Sequence, residues 1–253
     1  VIEEVRRVAD ARFREIALTG VHLASYGRDL DHPSSLLELL EAVSRVDLDI
    51  TFRISSLEPM DCTPEIVSLV AANAQRFAPH FHLPLQHASD RMLEAMRRPY
   101  TLAYYAHLVQ SIVAKLPHAS IGSDMIVGFP GETEADFEQS VTYLRDSPLS
   151  HVHVFPYSDR PGTEACRRLD KVDPTVVRER GARMRAIAAA LSERFRASQI
   201  GSVRPALTVS DGATVVTDNY LKLASGPGFV RNQRVHVEVR SSLVVAAGIV
   251  VLL

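Results

Sequence analysis

Apolar residues along the chain follow two rhythms in turn. Stretches with apolar positions three and four apart, the spacing of one helix face, alternate with short runs of strand character. Residues 1–12 read as a helix with Ile2, Val5, Val8 and Ala9 on one face, and 15–19 as a strand ending at Gly20. A Ser35-x-x-Glu38 capping box opens a helix over 35–46, and a strand follows over 49–55. Thr63 is placed as the N-cap of a helix over 63–75, with Pro64 in its first turn. The pattern then predicts a strand over 81–86 and helices over 89–97 and 101–116, parted at Pro99. A strand over 121–127, a helix over 133–147 capped by Thr133 and a strand over 151–155 complete this part.

Five strands alternating with helices imply right-handed βαβ units and a parallel sheet. Polar residues stand just after each strand: His22, Glu58, Gln86, Asp124 and Tyr157. In a β/α barrel the C-terminal strand ends converge on one face, whereas an open doubly wound sheet gathers its site at a single crossover. The expected fold is therefore α/β, a partial parallel TIM-like barrel. No Gly-x-Gly-x-x-Gly or Walker sequence appears, which argues against a dinucleotide or P-loop site.

The character changes in the last third. Asp173-Pro174 opens a long helix reaching about residue 199, with six arginines and two glutamates between 174 and 200. Beyond Gly201, β-patterned runs over 203–209, 213–217, 220–224 and 233–239 are separated by Gly, Asp and Asn turns. They predict a small all-β barrel near the lower size limit for independent folding. The expected division is a partial barrel over 1–165, a basic linker helix over 166–200 and a β domain over 201–253. Both ends read as truncated: Val1 already lies in helical pattern, and 244–253 has strand pattern without a stop.

Composition narrows the class. Hydrophobic residues make up 46% and charged residues 23%, a soluble globular mix. No apolar run is long enough to span a bilayer and no signal peptide opens the chain, so a cytoplasmic protein without a membrane partner is expected. Residues 1–159 hold 13 Lys and Arg against 22 Asp and Glu; residues 160–253 hold 15 against 8. A basic C-terminal part beside an acidic body is compatible with a polyanion partner or with a solvated helix face. The two cysteines, Cys62 and Cys166, are far apart, which excludes a disulfide framework and a local Cys-x-x-Cys metal site; no metal ligands are assigned.

The residues with chemical potential lie in five segments. They are Thr19–Gly27 (TGVHLASYG), Arg53–Pro59 (RISSLEP), His82–Asp90 (HLPLQHASD) with Met96–Tyr100 (MRRPY), Gly122–Thr133 (GSDMIVGFPGET), and Val154–Ser158 (VFPYS) with Arg160–Thr163 (RPGT). Each segment alone has an ordinary reading as a turn or cap. Together they bring two carboxylates, an amide and a guanidinium to one barrel face, a set suited to a zwitterionic, ribose-bearing ligand. Arginine grips a carboxylate in bidentate fashion, and carboxylates accept from ammonium and hydroxyl groups.

In this order and spacing the five segments resemble the radical S-adenosylmethionine (SAM) methylthiotransferases. The TGVHLASYG form resembles the branch acting on threonylcarbamoyladenosine beside the tRNA anticodon. Residues 201–253 resemble the TRAM domain, a small RNA-binding β barrel, most recognisably at Thr217-Asp218-Asn219-Tyr220. The resemblance implies SAM as cofactor, with [4Fe–4S] clusters in the full-length protein, and tRNA as partner. A reduced cluster would cleave SAM to an adenosyl radical that abstracts hydrogen from carbon 2 of the adenine. By motif position, Glu58 would meet the SAM ammonium and Arg98 its carboxylate, aided by Gln86. Asp124 would take the ribose hydroxyls, Gly128 and Phe129 would border the adenine, and His22 and Tyr157 would face the substrate. The family's Cys-x-x-x-Cys-x-x-Cys motif is absent and is expected upstream of Val1, so no catalytic ligand is assigned in this chain. Alternatives are a methylthiotransferase for isopentenyladenosine in tRNA or for a ribosomal protein aspartate, and a cluster-free protein that only binds RNA.

Overall fold

The computed structural model describes residues 1–226 and 228–240; the strand pattern over 244–253 lies outside them. Five parallel strands form an arc: β1 (Glu15–Leu18), β2 (Thr51–Ile54), β3 (His80–His82), β4 (Ser120–Val127) and β5 (His151–Pro156). β1 pairs with β2, and β3, β4 and β5 pair in order, all parallel. The two sheets are stitched by irregular backbone bonds: Phe52 N to Arg76 O at 2.6 Å, Ala78 N to Phe52 O at 2.8 Å and Leu57 N to His82 O at 3.0 Å.

The helices that cover the arc begin where their caps dictate. Ser35 and Glu38 form the capping box of α2 (Leu36–Ser44), following α1 (Ile2–Asp10). Thr63 caps α3 (Pro64–Ala72) and Thr101 caps α5 (Leu102–Lys115), which follows the short α4 (Asp90–Ala95). Thr133 and Asp136 form a second capping box on α6 (Glu134–Asp146). Each cap satisfies amide groups that the first turn leaves without partners. The strand expected over 81–86 is regular only over His80–His82. Pro84 has no N–H to donate, Leu85 N turns to Ser123 Oγ at 3.0 Å, and Gln86 adopts a left-handed φ of 70°. The backbone rejoins β4 at Gln86, whose N donates to Asp124 O at 2.8 Å and whose O accepts from Ile126 N at 2.8 Å.

After the four-residue α7 (Glu164–Arg167) comes α8 (Pro174–Gln199), capped by Asp173, which accepts from Thr175 N at 2.7 Å. Its Met184, Ala188 and Leu191 join the same core as Leu40, Phe52, Phe77, Tyr105, Ile121 and Phe137 of the barrel. Arg180, Arg183 and Arg194 turn back onto the barrel, to Glu134, Glu138 and the Arg145 and Ser147 carbonyls. The basic face of this helix is therefore partly neutralised by the acidic body.

The C-terminal unit is a four-stranded antiparallel sheet among the described residues, in the order β8 (Lys222–Ala224), β7 (Thr214–Thr217), β6 (Val203–Val209), β9 (Arg234–Glu238). It has its own small core of Ala206, Val215, Leu221, Leu223, Val237 and Val239. It docks at the N-terminal end of the barrel strands through the turn 217–220. Asn219 is fully buried; its Nδ2 donates to His118 O at 2.9 Å and to Gln199 Oε1 at 3.0 Å. Arg53, held by Glu15 at 2.9 and 3.1 Å, donates to Asp218 O at 3.0 Å. The Tyr220 ring stacks on His80 with centroids 4.7 Å apart and lies under the Arg53 guanidinium.

Replacing Asn219 by Ala removes two donated bonds, to His118 O and to the buried Gln199 Oε1, and the bond accepted from Thr217 Oγ1. Urea unfolding of the full chain is expected to show a loss of about 1–3 kcal/mol. Limited proteolysis is expected to reach 201–240 sooner than in the parent. Unchanged stability would show that the docking turn contributes nothing.

Candidate active site

Side chains alternate across a strand, so β3, β4 and β5 send every second residue inside the arc. Phe81, Ile121, Ser123, Met125 and Val152 point to the helices, while His80, His82, Gly122, Asp124, Ile126, His151, His153 and Phe155 share the inner face. A cavity of about 980 Å³ opens at the C-terminal end of these strands. It is lined among others by Gln86, Arg98, Asp124, Ile126, Phe129, Phe155 and Tyr157. Of the five polar strand-end residues, Gln86, Asp124 and Tyr157 thus meet in one cavity.

Arg98 and Glu58 form a bridge in which Nη1 lies 2.9 Å from both carboxylate oxygens, and each side chain is about a quarter exposed. The pair joins the loop after β2 to the segment after α4, at the border of the cavity. Tyr157 packs its ring edge-on to the buried Phe129, centroids 5.3 Å apart, and donates to Asp159 at 2.9 Å. Asp124 Oδ1 lies 3.2 Å from His82 Nε2 and 3.3 Å from His153 Nδ1. Burial on its own raises the Asp124 carboxyl, but the two imidazoles outweigh it and hold it below its ordinary value.

Three expected residues are not in the lining itself: His22, Gly128 and Glu58, the last of which meets it through Arg98. His22 pairs with Asp61 at 3.1 Å, outside the cavity lining. Gly128 has φ 78°, and a Cβ there would come within 2.4 Å of Val177 on α8, so the turn before Phe129 requires glycine. Cys62 is buried, which pushes its thiol up to about 12, and Cys166 lies on α7.

The loop that carries Phe129 is held from below by a carboxylate with no solvent exposure. Glu132 accepts from Gly128 N, lies 3.3 Å from Arg180 Nη1 and 3.4 Å from His87 Nε2. His87 Nδ1 accepts from Ser89 N at 2.9 Å, so the ring proton is on Nε2, facing Glu132. Asp136 ties the neighbouring loops together: it accepts from Ser89 Oγ at 2.7 Å, from Thr133 N at 2.9 Å and from Arg91. Burial on its own raises the Asp136 carboxyl, but the bonds from Arg91, Thr133 and Ser89 outweigh it and hold it well below the ordinary value.

The sequence reading did not single out Glu132, Asp136, Arg180 or the four inward histidines. A pattern for the histidines exists: His-x-His occurs at 80–82 and 151–153, at the starts of two strands, and period two places each pair on one face. No local pattern marks Glu132 and Arg180 as partners, because 48 positions separate them in the chain.

The Radical SAM superfamily domain matches residues 1–144, and the chain belongs to that superfamily. Within it, the chain is similar to tRNA-modifying enzymes. It is 35% identical over 231 residues to the threonylcarbamoyladenosine tRNA methylthiotransferase MtaB of Bacillus subtilis strain 168, covering 88% of this chain and 51% of that protein. It is 34% identical over 223 residues to the MtaB of Aquifex aeolicus strain VF5, covering 88% and 53%. It is 38% identical over 176 residues to the tRNA-2-methylthio-N(6)-dimethylallyladenosine synthase of Carboxydothermus hydrogenoformans, covering 70% and 40%. The chain thus spans about half the length of the MtaB relatives it matches. Among the described residues no helix is long and apolar enough to cross a membrane.

Removing the Glu132 carboxylate by Glu132→Ala takes the buried one of Arg180's two counter-charges, leaving the exposed Glu134, and strips the Gly128 amide and His87 Nε2 of their acceptor. An unfolding loss of about 3–5 kcal/mol is expected by urea titration, against less than about 0.5 kcal/mol for the exposed Glu3→Ala. For Asp136 the sign follows from its lowered folded value. Its contribution is present above the unfolded carboxyl value, near 3.8, and is lost as pH falls through the folded value. The stability gap between the parent and Asp136→Asn is therefore expected to be constant above about pH 5 and to narrow below about pH 4. A gap independent of pH in thermal melts would contradict the depressed carboxyl.

Proposed function

We propose that this chain is the SAM-binding and RNA-facing part of a radical SAM methylthiotransferase that modifies an adenosine in tRNA, threonylcarbamoyladenosine in particular. The observation that carries the proposal is the single cavity shared by Gln86, Arg98, Asp124, Phe129 and Tyr157 at the strand ends. The threonylcarbamoyladenosine assignment is supported by the MtaB similarity, which extends over 88% of the chain in both relatives, slightly further than the 70–85% reached by the dimethylallyladenosine synthases. The dimethylallyladenosine reading is favoured by the comparable identity, 34–38%, of synthases that cover 70–85% of the chain.

The donor set fits SAM. Arg98 and Glu58 satisfy one another, and an amino-acid zwitterion offers each a replacement partner, carboxylate for Arg98 and ammonium for Glu58. Both imidazoles address Oδ1 of Asp124, which leaves Oδ2 for ribose hydroxyls. Phe129 and Ile126 supply apolar surface for the base, and Gln86 is fixed by backbone bonds to β4. SAM, when bound, supplies the methyl group and the adenosyl carbon centre. The role of these residues is to hold the zwitterion, orient the ribose and keep water from the adenine side.

The cysteines do not fit a [4Fe–4S] cluster. Such a site needs three converging thiolates, and the chain has two cysteines, one buried with its thiol pushed up to about 12. In a protein of the relatives' length the cluster ligands would lie in the part this chain does not span. The β domain would carry the tRNA contact, in the cytoplasm where tRNA is modified. Three of its five described basic residues are paired: Arg204 with Asp218, Arg234 with Asp49 and Arg240 with Glu238. Lys222 and Arg231 are exposed and have no ion-pair partner among the described residues, so they are available to phosphates.

Calorimetry on the full chain is expected to show SAM binding that Arg98→Ala weakens by at least about tenfold, the worth of a lost charge-assisted bond. Unchanged affinity would remove Arg98 from the site. Binding of tRNA is expected to weaken with salt, and Lys222→Ala with Arg231→Ala to lower the slope of log K against log salt by about 2. A slope unmoved by both would place the phosphate contacts outside the β domain. Reconstitution with iron and sulfide is expected to leave the chain colourless after desalting; a stable brown four-iron species would reveal a cluster site made by other ligands.

A further inference from the structure

Three groups from three neighbouring strands meet inside the arc: His82 from β3, Asp124 from β4 and His153 from β5. One ligand atom of each lies within 4.8 Å of the others. The register explains the meeting. Asp124 is level with His153, and His82 is level with Gly122, one inward position before Asp124. Gly122 matters because a Cβ there would lie 2.0 Å from the His151 ring, so any other residue would push the histidine row apart.

The two distances to Asp124 are those of a coordination edge. Ligand atoms held at about 2.0–2.2 Å from a transition metal stand roughly 3.0–3.5 Å from one another. The two observed N–O separations are 3.2 and 3.3 Å. Hydrogen bonding does not account for them: His82 Nε2 and Asp124 Oδ1 are both buried, and neither makes an aligned hydrogen bond. The outer contact of His82 completes the pattern. Its Nδ1 lies 3.1 Å from Ser56 Oγ, a partner that would hold the ring proton on Nδ1 and free the Nε2 lone pair when an ion binds. An ion between Nε2 and Oδ1 would take both lone pairs as ligands.

We propose that His82, Asp124 and His153 bind one divalent first-row transition ion of the Zn2+ or Fe2+ class. Two imidazoles and one carboxylate on one side form a three-ligand set with open positions, the composition that such ions select over Mg2+ and Ca2+. The set is reachable from outside, because the His153 side chain is 61% exposed and Asp124 lines the cavity. The site does not depend on the SAM reading, since it requires only the three side chains and Ser56.

The test uses the full chain without a polyhistidine tag, stripped of metal and titrated with Zn2+ by calorimetry and with Co2+ by visible absorption. One ion per chain is expected, with ligand-field bands for Co2+. His82→Ala, Asp124→Asn and His153→Ala are each expected to lower affinity beyond the roughly 10–100-fold that loss of an outer partner causes, and Ser56→Ala by roughly tenfold. The exposed His32→Ala serves as the control and is expected to change nothing. Because His153 is largely exposed, its removal leaves the fold intact, and Zn2+ is expected to raise the Tm of the parent but not of His153→Ala. Absence of saturable binding, or binding that persists in His153→Ala, would overturn the site. Measuring SAM affinity with and without Zn2+ separates the two readings: SAM binding without metal binding sinks only the ion site, and the reverse sinks only the SAM site.

Discussion

The Glu132 carboxylate is the constraint around which the cavity is organised. It has no solvent exposure, and an ion so placed is stable only with compensating charge and hydrogen bonds. Three elements supply them: the Gly128 amide from its own loop, His87 from the segment after β3, and Arg180 from α8. One anion thereby fixes the loop bearing Phe129, aligns it with the loop bearing Gln86, and welds the last helix to the barrel. Asp136 repeats the device one turn further on, with Ser89, Thr133 and Arg91 as donors. The cavity wall is stiff because its loops are crosslinked by buried charge instead of being left to solvent.

Below this level the inner face of β3–β5 is polar at both ends. At the N-terminal end, Glu15, Arg53, His80 and Tyr220 stack, and the C-terminal sheet closes the arc there. Burial and the nearby Arg53 lower His80 to about 3, and burial with the neighbouring His82 and His153 lowers His151 to about 4. Both rings are therefore neutral at pH 7, which lets them stack in a row without mutual repulsion. The Thr217–Tyr220 turn, singled out for its resemblance to an RNA-binding domain, is engaged in docking; among the described residues of the β domain, the exposed Lys222 and Arg231 have no ion-pair partner.

Caps and long periodic helices were legible because their physics is local. Ser35 with Glu38, Thr63, Thr133 and Asp173 each act within a few residues of the helix they open. The alternation of elements sufficed for a parallel arc with polar strand ends on one side, and Gln86, Arg98, Asp124, Phe129 and Tyr157 do share one cavity. Strand length after β3 was overestimated, since the apolar run 81–86 continues past the point where Pro84 interrupts the ladder. His22 follows a strand yet turns to Asp61, because a residue past a strand end belongs to its loop, whose path the pattern does not specify.

By itself the amino-acid sequence determined the order of elements, their caps, the two-part organisation and the chemical types gathered at the strand ends. These depend on periodicity and on neighbours within a turn or two of chain. Only the tertiary structure decided which charges neutralise one another: Arg180 with Glu132, Arg98 with Glu58, Arg53 with Glu15, and the meeting of His82, Asp124 and His153. Electrostatic partners are chosen by distance in space and by burial, and both arise only when strands far apart in sequence come into register.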